Sequence, residues 1–161
     1  MLTYWCARNF GATARFRMNT IRISSKGFAS FSPDGTRIDN FPEQHHDNCM
    51  DKHQGTYRLF KPTVRVYKNF RNKLIEEQLL AEGVAPSYFL EGTLYNVPLD
   101  RFGGTHSANF IDTLNWIIEA ERNKFVCANE QSICSGKNNP VTWAAAKCNT
   151  FLSAAVQYWD A

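Results

Sequence analysis

Between residues 56 and 96 the sequence spells two helical stretches, "TYRLFKPTVRVYKNFRNKLIEEQLLA" and "PSYFLEGTLYN", with only "EGVA" between them. A break that short makes the two helices pack as neighbours, and this constrains the fold more than any other feature. Thr56 is placed to cap the first stretch. Pro62 lacks the N–H that an interior turn needs, so it predicts a kink, or a short helix followed by a longer one to about residue 81. Gly83 falls where a C′ glycine is expected. Pro86 suits the first turn of the second helix, which is predicted over residues 86–96. Val64, Tyr67, Phe70 and Leu74 share one face of the first helix and turn to a core.

The flanks are read more coarsely. Residues 20–24, "TIRIS", alternate as a half-buried strand does. "FASFSPDGTRIDNFP" reads as a β-hairpin, with Pro33, Asp34 and Gly35 at its turn and Phe28, Phe31, Ile38 and Phe41 around it. Residues 42–55, "PEQHHDNCMDKHQG", read as a polar connector ending at Gly55. Thr105 or Ser107 caps a helix predicted to about residue 122, with Phe110, Leu114, Ile117 and Ile118 on its buried stripe. "KFVCANEQSIC" is a short strand or loop, and "SGKNNP" is a loop. A last helix is predicted over residues 140–158, lined inside by Ala144, Cys148, Phe151, Leu152 and Ala155. The fold class is α+β and mainly helical. A small β-element fills residues 1–41, and a lobe of four or five helices fills residues 42–161 as one compact unit.

Composition limits the function classes. Of 161 residues, 43% are hydrophobic and 14% aromatic, which suffices for a sizeable core and argues against disorder. No run of ~18 apolar residues offers a membrane span. The five cysteines are odd in number and without zinc-like spacing, so reduced thiols and a cytoplasmic location are expected. A net charge of +3 permits an anionic ligand without demanding one.

Lys61, Arg65 and Lys68 fall at i, i+4 and i+7 and so share one helical face. Taken alone, such a row is a solvated basic face. Ser87 and Tyr88 open the neighbouring helix. Taken alone, they are a cap and a core aromatic. A helix start carries unsatisfied N–H groups and partial positive charge, which suit a phosphate. A serine hydroxyl donates to a phosphate oxygen there, and a tyrosine ring stacks on a nucleobase. Together the cations, the hydroxyl and the ring form a candidate grip for a nucleoside triphosphate of the ATP or GTP class. Glu91, one turn after Ser87, pairs with a nearby cation or orients Lys68. "EQHHD" and His53 read as polar loop with no metal site, because adjacent histidines diverge on regular structure. His106 receives no role.

The run "NFPEQH…HQGTYRLFKPTVRVYKNFRNKL…VAPSYFLEGTLYNVP…FGG…FVCANEQ…VTWAAAKCNTFLSAAVQYW" resembles the C-terminal half of bacterial nucleotidyltransferases. These belong to the group that includes the CD-NTases of anti-phage signalling, cyclic GMP-AMP synthase and oligoadenylate synthase. The resemblance covers roughly residues 27–159 through several motifs in order. It implies the second, helical lobe of a two-lobed, polymerase-β-like enzyme. In such enzymes a first lobe carries a Gly-Ser motif and three acidic residues for Mg2+. The resemblance also implies that Lys68 matches the triphosphate-contacting lysine, Ser87 the phosphate contact and Tyr88 the base-stacking ring. Arg65 joins them from the basic row.

The sequence departs from that pattern at the decisive point. No Gly-Ser is followed by a D-x-D pair, and residues 1–20 hold no Asp or Glu. Asp34 and Asp39 do not replace the missing set. The chain alone is therefore expected to lack nucleotidyltransferase activity, with Mg2+-bound NTP chemistry requiring an acidic lobe. Residues 1–41 would then leave a strand edge that pairs with a second copy or with a catalytic-lobe partner. The alternative is a non-catalytic interaction module, a regulator of a full-length relative, or a nucleic-acid binder using Arg8, Arg15, Arg17 and Arg22, whose affinity would fall steeply with salt.

Overall fold

The computed structural model describes residues 27–31, 35, 37–130 and 142–160. The predicted arm and strand of residues 1–24, the four N-terminal arginines, Pro33, Asp34, Cys6, Cys134, the loop of residues 135–140 and Pro140 lie outside the described residues. Strands β1 (Phe28–Phe31) and β2 (Arg37–Asn40) pair antiparallel, with Phe28 opposite Asn40 and Phe31 opposite Arg37. Gly35, in the connection, has φ +83°, a conformation that costs a glycine nothing. The predicted hairpin is therefore present.

Among the described residues five α-helices follow: α1 (Pro42–Gly55), α2 (Phe60–Glu76), α3 (Ser87–Asn96), α4 (His106–Glu119) and α5 (Ala145–Trp159). Short 3-10 turns occupy Leu99–Arg101 and Arg122–Lys124. The helix α2 is central and packs against α1, α3, α4 and α5. Its buried face is Phe60, Thr63, Val64, Tyr67 and Leu74, one residue per turn or so, as the 3.6-residue period requires. Leu90 and Leu94 of α3, Phe110, Leu114 and Ile117 of α4, and Cys148, Phe151, Leu152 and Ala155 of α5 complete the core. The seam between α2 and α4 is polar but satisfied. The Asn109 Nδ2 donates to Thr63 Oγ1, the Tyr67 and Thr113 hydroxyls lie 3.0 Å apart, and Thr113 donates to the Asn109 carbonyl. Buried polar groups that find partners in this way cost little.

Residues 42–55 are a helix, not a polar connector. Pro42 and Glu43 suit its first turn, but among its residues only Cys49 is fully buried, so no apolar stripe betrays it. Polar ties hold it instead. Asn48 donates to the Ala128 carbonyl at 2.8 Å, and Lys52 Nζ donates to the Val97 carbonyl beside the rings of Tyr95 and Phe102.

Pro62 does not break α2. It is the third residue of the helix, where an N–H would lack an intrahelical partner in any case. Thr56 is not the N-cap of α2: that position is Leu59, and Thr56 is instead the C-cap of α1, four residues before Phe60, from where its buried Oγ1 still accepts from the Phe60 N–H at 3.0 Å. The helix stops at Glu76 rather than near residue 81. Gln78, at φ +59°, takes the left-handed turn that ends it, and Gly83, at φ +74°, shapes the connection farther on.

Thr105 caps α4 by accepting from the Ala108 N–H at 3.2 Å. That helix ends at Glu119, short of residue 122, and Ile118 is exposed. Ile118 follows Ile117 by one residue, a rotation of about 100° that carries it off the buried stripe. The last helix begins at Ala145, later than predicted, and Ala144 is its exposed N-cap rather than a core residue. Residues 127–130, the described part of "CANEQ", are irregular backbone in which Cys127, Ala128 and Asn129 are buried. Asn96 holds it through its side-chain amide, which both donates to the Val126 carbonyl and accepts the Val126 N–H.

Candidate nucleotide-binding site

The helix α3 starts where Pro86, at φ −59° and ψ 145°, brings the chain in extended, and no side chain caps it. Its first N–H groups, Ser87 and the Tyr88 ring therefore sit at one helix end. Ser87 is exposed and Tyr88 is 39% exposed. From α2, Arg71 reaches across the break. Its Nη1 donates to the Ala85 carbonyl at 2.8 Å and lies 3.4 Å from Ser87 Oγ, while its Nε donates to Asn72 Oδ1 at 3.0 Å. The cation in contact with Ser87 is thus Arg71.

The other predicted cations divide. Lys68 is half-buried, and its charge is felt at Glu91 and at Cys49. Lys61 lies 2.8 Å from Met50 Sδ and acts on the same two groups. Arg65 is exposed, and its charge is felt at His53 on α1. The His53 pKa is lowered by burial first, then by Lys61, Arg58 and Arg65. The structure thus brings Ser87, Tyr88 and Arg71 together, sets Lys68 beside Glu91, and leaves Arg65 outside that group.

His45, on α1, completes the ledge. Its ring stacks on Tyr88, with centroids 5.4 Å apart and planes at 21°. Its Nε2 lies 3.5 Å from Glu91 Oε2. Neither His45, set aside within "EQHHD" as polar loop, nor Arg71 is among the residues expected to form the grip. Arg71 continues the basic row at i+3 from Lys68, and that spacing was the available signal. His45 becomes visible only when residues 42–55 are helical.

The His45 hydrogen bond is the largest influence on Glu91 and lowers its pKa; burial opposes it, and Lys68 and Lys61 reinforce it. A carboxylate whose folded pKa is depressed stabilises the fold above its unfolded value, near 4.5, and loses that contribution as pH falls through the folded value. The melting temperature of the wild type should therefore exceed that of Glu91→Gln at neutral pH, and the gap should close below about pH 4.5. Thermal melts from pH 7 to 3 test this; a gap that is constant over that range would contradict it.

Two open grooves lie elsewhere. One, of about 500 Å³, is lined by Asn96, Trp116, Glu119 and Lys124 among others. The second, of about 680 Å³, runs along Ile118, Arg122, Asn149 and Val156. Neither includes Lys68, Arg71, Ser87 or Tyr88. The three described cysteines, Cys49, Cys127 and Cys148, are buried thiols. Among the described residues no helix is long and apolar enough to cross a membrane.

Comparison with known proteins gives this geometry a family. Residues 47–160 match the cGAS/DncV-like nucleotidyltransferase C-terminal helical domain. The cyclic UMP-AMP synthase of Rhodothermus marinus is 39% identical over 135 residues, which are 83% of this chain and 46% of that protein. The cyclic nucleotide synthase CdnE01 of Staphylococcus haemolyticus is 32% identical over 138 residues, again 83% of this chain and 46% of the relative. The chain therefore spans about half the length of the curated relatives it matches. The structure of the Rhodothermus marinus CdnE c-UMP-AMP synthase with Apcpp and Upnpp superposes with a TM-score of 0.78 at 38% identity, covering 84% of this chain and 46% of the other. That of the Elizabethkingia meningoseptica CdnE cyclic dinucleotide synthase with GTP and Apcpp gives 0.74 at 28%, covering 84% and 50%. The chain belongs to the cGAS/DncV-like nucleotidyltransferase family, in which it matches the C-terminal helical domain.

Proposed function

We propose that this chain is the nucleotide-holding half of a cyclic-oligonucleotide synthase, and that it grips the triphosphate and base of a donor NTP of the ATP or GTP class. The observation that carries the reading is the uncapped start of α3, where Ser87 and Tyr88 stand beside Arg71, with Lys68 on the adjoining helix. Each part has a task. The helix end and Arg71 attract phosphate oxygens, Arg71 as a planar fork and Lys68 as a point charge. Ser87 donates from its hydroxyl, and the exposed part of Tyr88 offers a stacking face. The triphosphate analogues and GTP named with the two superposed synthases support the same class of ligand.

Phosphoryl transfer in this family runs on Mg2+ held by carboxylates. The site here does not fit such ions. Among the described residues its one carboxylate, Glu91, is engaged by His45 and feels the charges of Lys68 and Lys61. The sequence also carries no Gly-Ser followed by a D-x-D pair. We therefore assign this chain's described residues binding and orientation of the nucleotide, and leave the metal-bound step to acidic residues outside them.

Calorimetry with ATP and GTP on the wild type, Lys68→Ala and Tyr88→Ala tests the reading. Millimolar or tighter binding by the wild type, weakened several-fold or more in both variants, is the expected result. Absence of binding at millimolar nucleotide would overturn it and leave an interaction module. Cyclic or linear oligonucleotide product from the pure chain with Mg2+ or Mn2+ would overturn the assignment of the metal-bound step elsewhere.

A further inference from the structure

We propose that His45, Cys49 and Glu91 form a binding site for one borderline-soft divalent cation of the zinc class. The three side chains offer one nitrogen, one sulfur and one oxygen, and these atoms all lie within 4.8 Å of one another. His45 Nε2 is 3.7 Å from Cys49 Sγ and 3.5 Å from Glu91 Oε2. Tetrahedral bonds of about 2.0–2.3 Å to N, O and S place neighbouring ligand atoms roughly 3.3–3.7 Å apart. The two closest separations thus match a coordination shell before any ion enters.

The elements present these atoms in a fixed way. His45 and Cys49 are four residues apart on α1, so they share one face. Glu91 faces them from α3. The ring of His45 is held flat against Tyr88, and its Nδ1 is buried with no hydrogen-bond partner among the described residues. Its directional bonding is therefore made through Nε2, the atom nearest the thiol and the carboxylate. Cys49 is buried, whereas His45 and Glu91 keep 22% and 23% of their side chains exposed. An ion thus enters from the solvent side and keeps a water there as its fourth ligand.

The donor atoms select the ion. The charges of Lys61 and Lys68 are felt at both Cys49 and Glu91. Binding forms a metal–sulfur bond and breaks the S–H bond, and the proton leaves to solvent. The thiolate and the carboxylate then neutralise the divalent charge. The two lysines repel every divalent cation alike, so the ligand set decides: Mg2+ and Ca2+ gain little from sulfur. A zinc-class ion gains the thiolate bond that they lack. Such an ion would lock α1 to α3 directly behind Tyr88.

The test uses the full chain, reduced and freed of metal by a chelator, with no nucleotide present, so its outcome is separate from that of the nucleotide reading. Titration with Co2+ reports a thiolate ligand through a sulfur-to-cobalt charge-transfer band and tetrahedral geometry through visible d–d bands. One equivalent of Co2+ is expected to bind, and Zn2+ should displace it. Cys49→Ser should abolish the charge-transfer band. His45→Ala and Glu91→Gln should each weaken binding by more than about tenfold, since even outer-shell changes cost about 10–100-fold at metal sites. Cys127→Ser and Cys148→Ser should leave the spectrum unchanged. The inference is overturned by absence of the band in the wild type, by its survival in Cys49→Ser, by unchanged affinity in folded Glu91→Gln, or by equal competition from Mg2+.

Discussion

Replacing Trp143 with alanine should lower the stability of the fold by about 3–5 kcal/mol, the usual cost of removing a large buried aromatic. Trp143 is 2% exposed and lies just before α5. Its indole N–H donates to the Val84 carbonyl at 2.8 Å, in the connection between α2 and α3. Its ring stacks nearly parallel to Phe89 of α3, with centroids 6.1 Å apart, and meets Phe151 of α5 at 45° and the same separation. One side chain therefore joins the α2–α3 break, the first turn of α3 and the last helix. Its removal leaves a cavity and an unpaired carbonyl at once. Domains are stable by only about 5–15 kcal/mol, so the variant is expected near its unfolding limit. Urea denaturation should show a lower midpoint with an unchanged slope. Trp143→Phe keeps most of the packing but not the hydrogen bond and should recover more than half of the loss. A loss below about 1 kcal/mol in Trp143→Ala would show that the surroundings collapse into the space and that this anchor is not needed.

Trp143 also illustrates what a sequence yields and what it withholds. Helix α2 was legible because apolar residues recur at 3.6-residue spacing, although Pro62 pointed to a kink that is absent, and α3 was legible because Pro86 marks its start. The hairpin was legible from its turn residues. Trp143 was not, because its partners Val84 and Phe89 are more than fifty residues away and no local period points to them. The polar helix α1 was hidden for a different reason. It buries one cysteine and is held by Asn48 and Lys52 to backbone carbonyls far along the chain, a tertiary effect that overrides a weak local pattern. Missing α1 concealed His45. Adjacent histidines do diverge, but His45 and Cys49 at i, i+4 converge once the backbone is helical. The position of Ser87 and Tyr88 at the start of α3 is legible because Pro86 fixes where that helix begins. Arg71 was missed because the row of cations was read as ending at Lys68, one turn too early.

Arg71→Ala is accordingly expected to weaken ATP or GTP binding by about 10- to 100-fold relative to the wild type. A hydrogen bond to a charged group is worth about 1.5–3 kcal/mol, and each 1.4 kcal/mol is a factor of ten in affinity. Arg71 is the cation that reaches Ser87, and its bond to the Ala85 carbonyl also sets the angle at which the chain enters α3. The variant thus loses both a phosphate partner and the positioning of the helix end. The two losses separate experimentally. Positioning alone costs stability, about 1 kcal/mol for one hydrogen bond to a part-buried carbonyl, and shows in a denaturation curve without nucleotide. Phosphate contact shows in calorimetry and grows with the charge of the ligand, so the penalty should be larger for ATP than for adenosine. Arg71→Lys keeps the charge but not the planar fork, and should restore part of the triphosphate affinity and little of the stability. Affinity for ATP in Arg71→Ala equal to that of the wild type would remove Arg71 from the grip and return its role to Lys68. An equal penalty for ATP and adenosine would leave Arg71 only the task of placing α3, with the helix end, Ser87 and Lys68 carrying the phosphates.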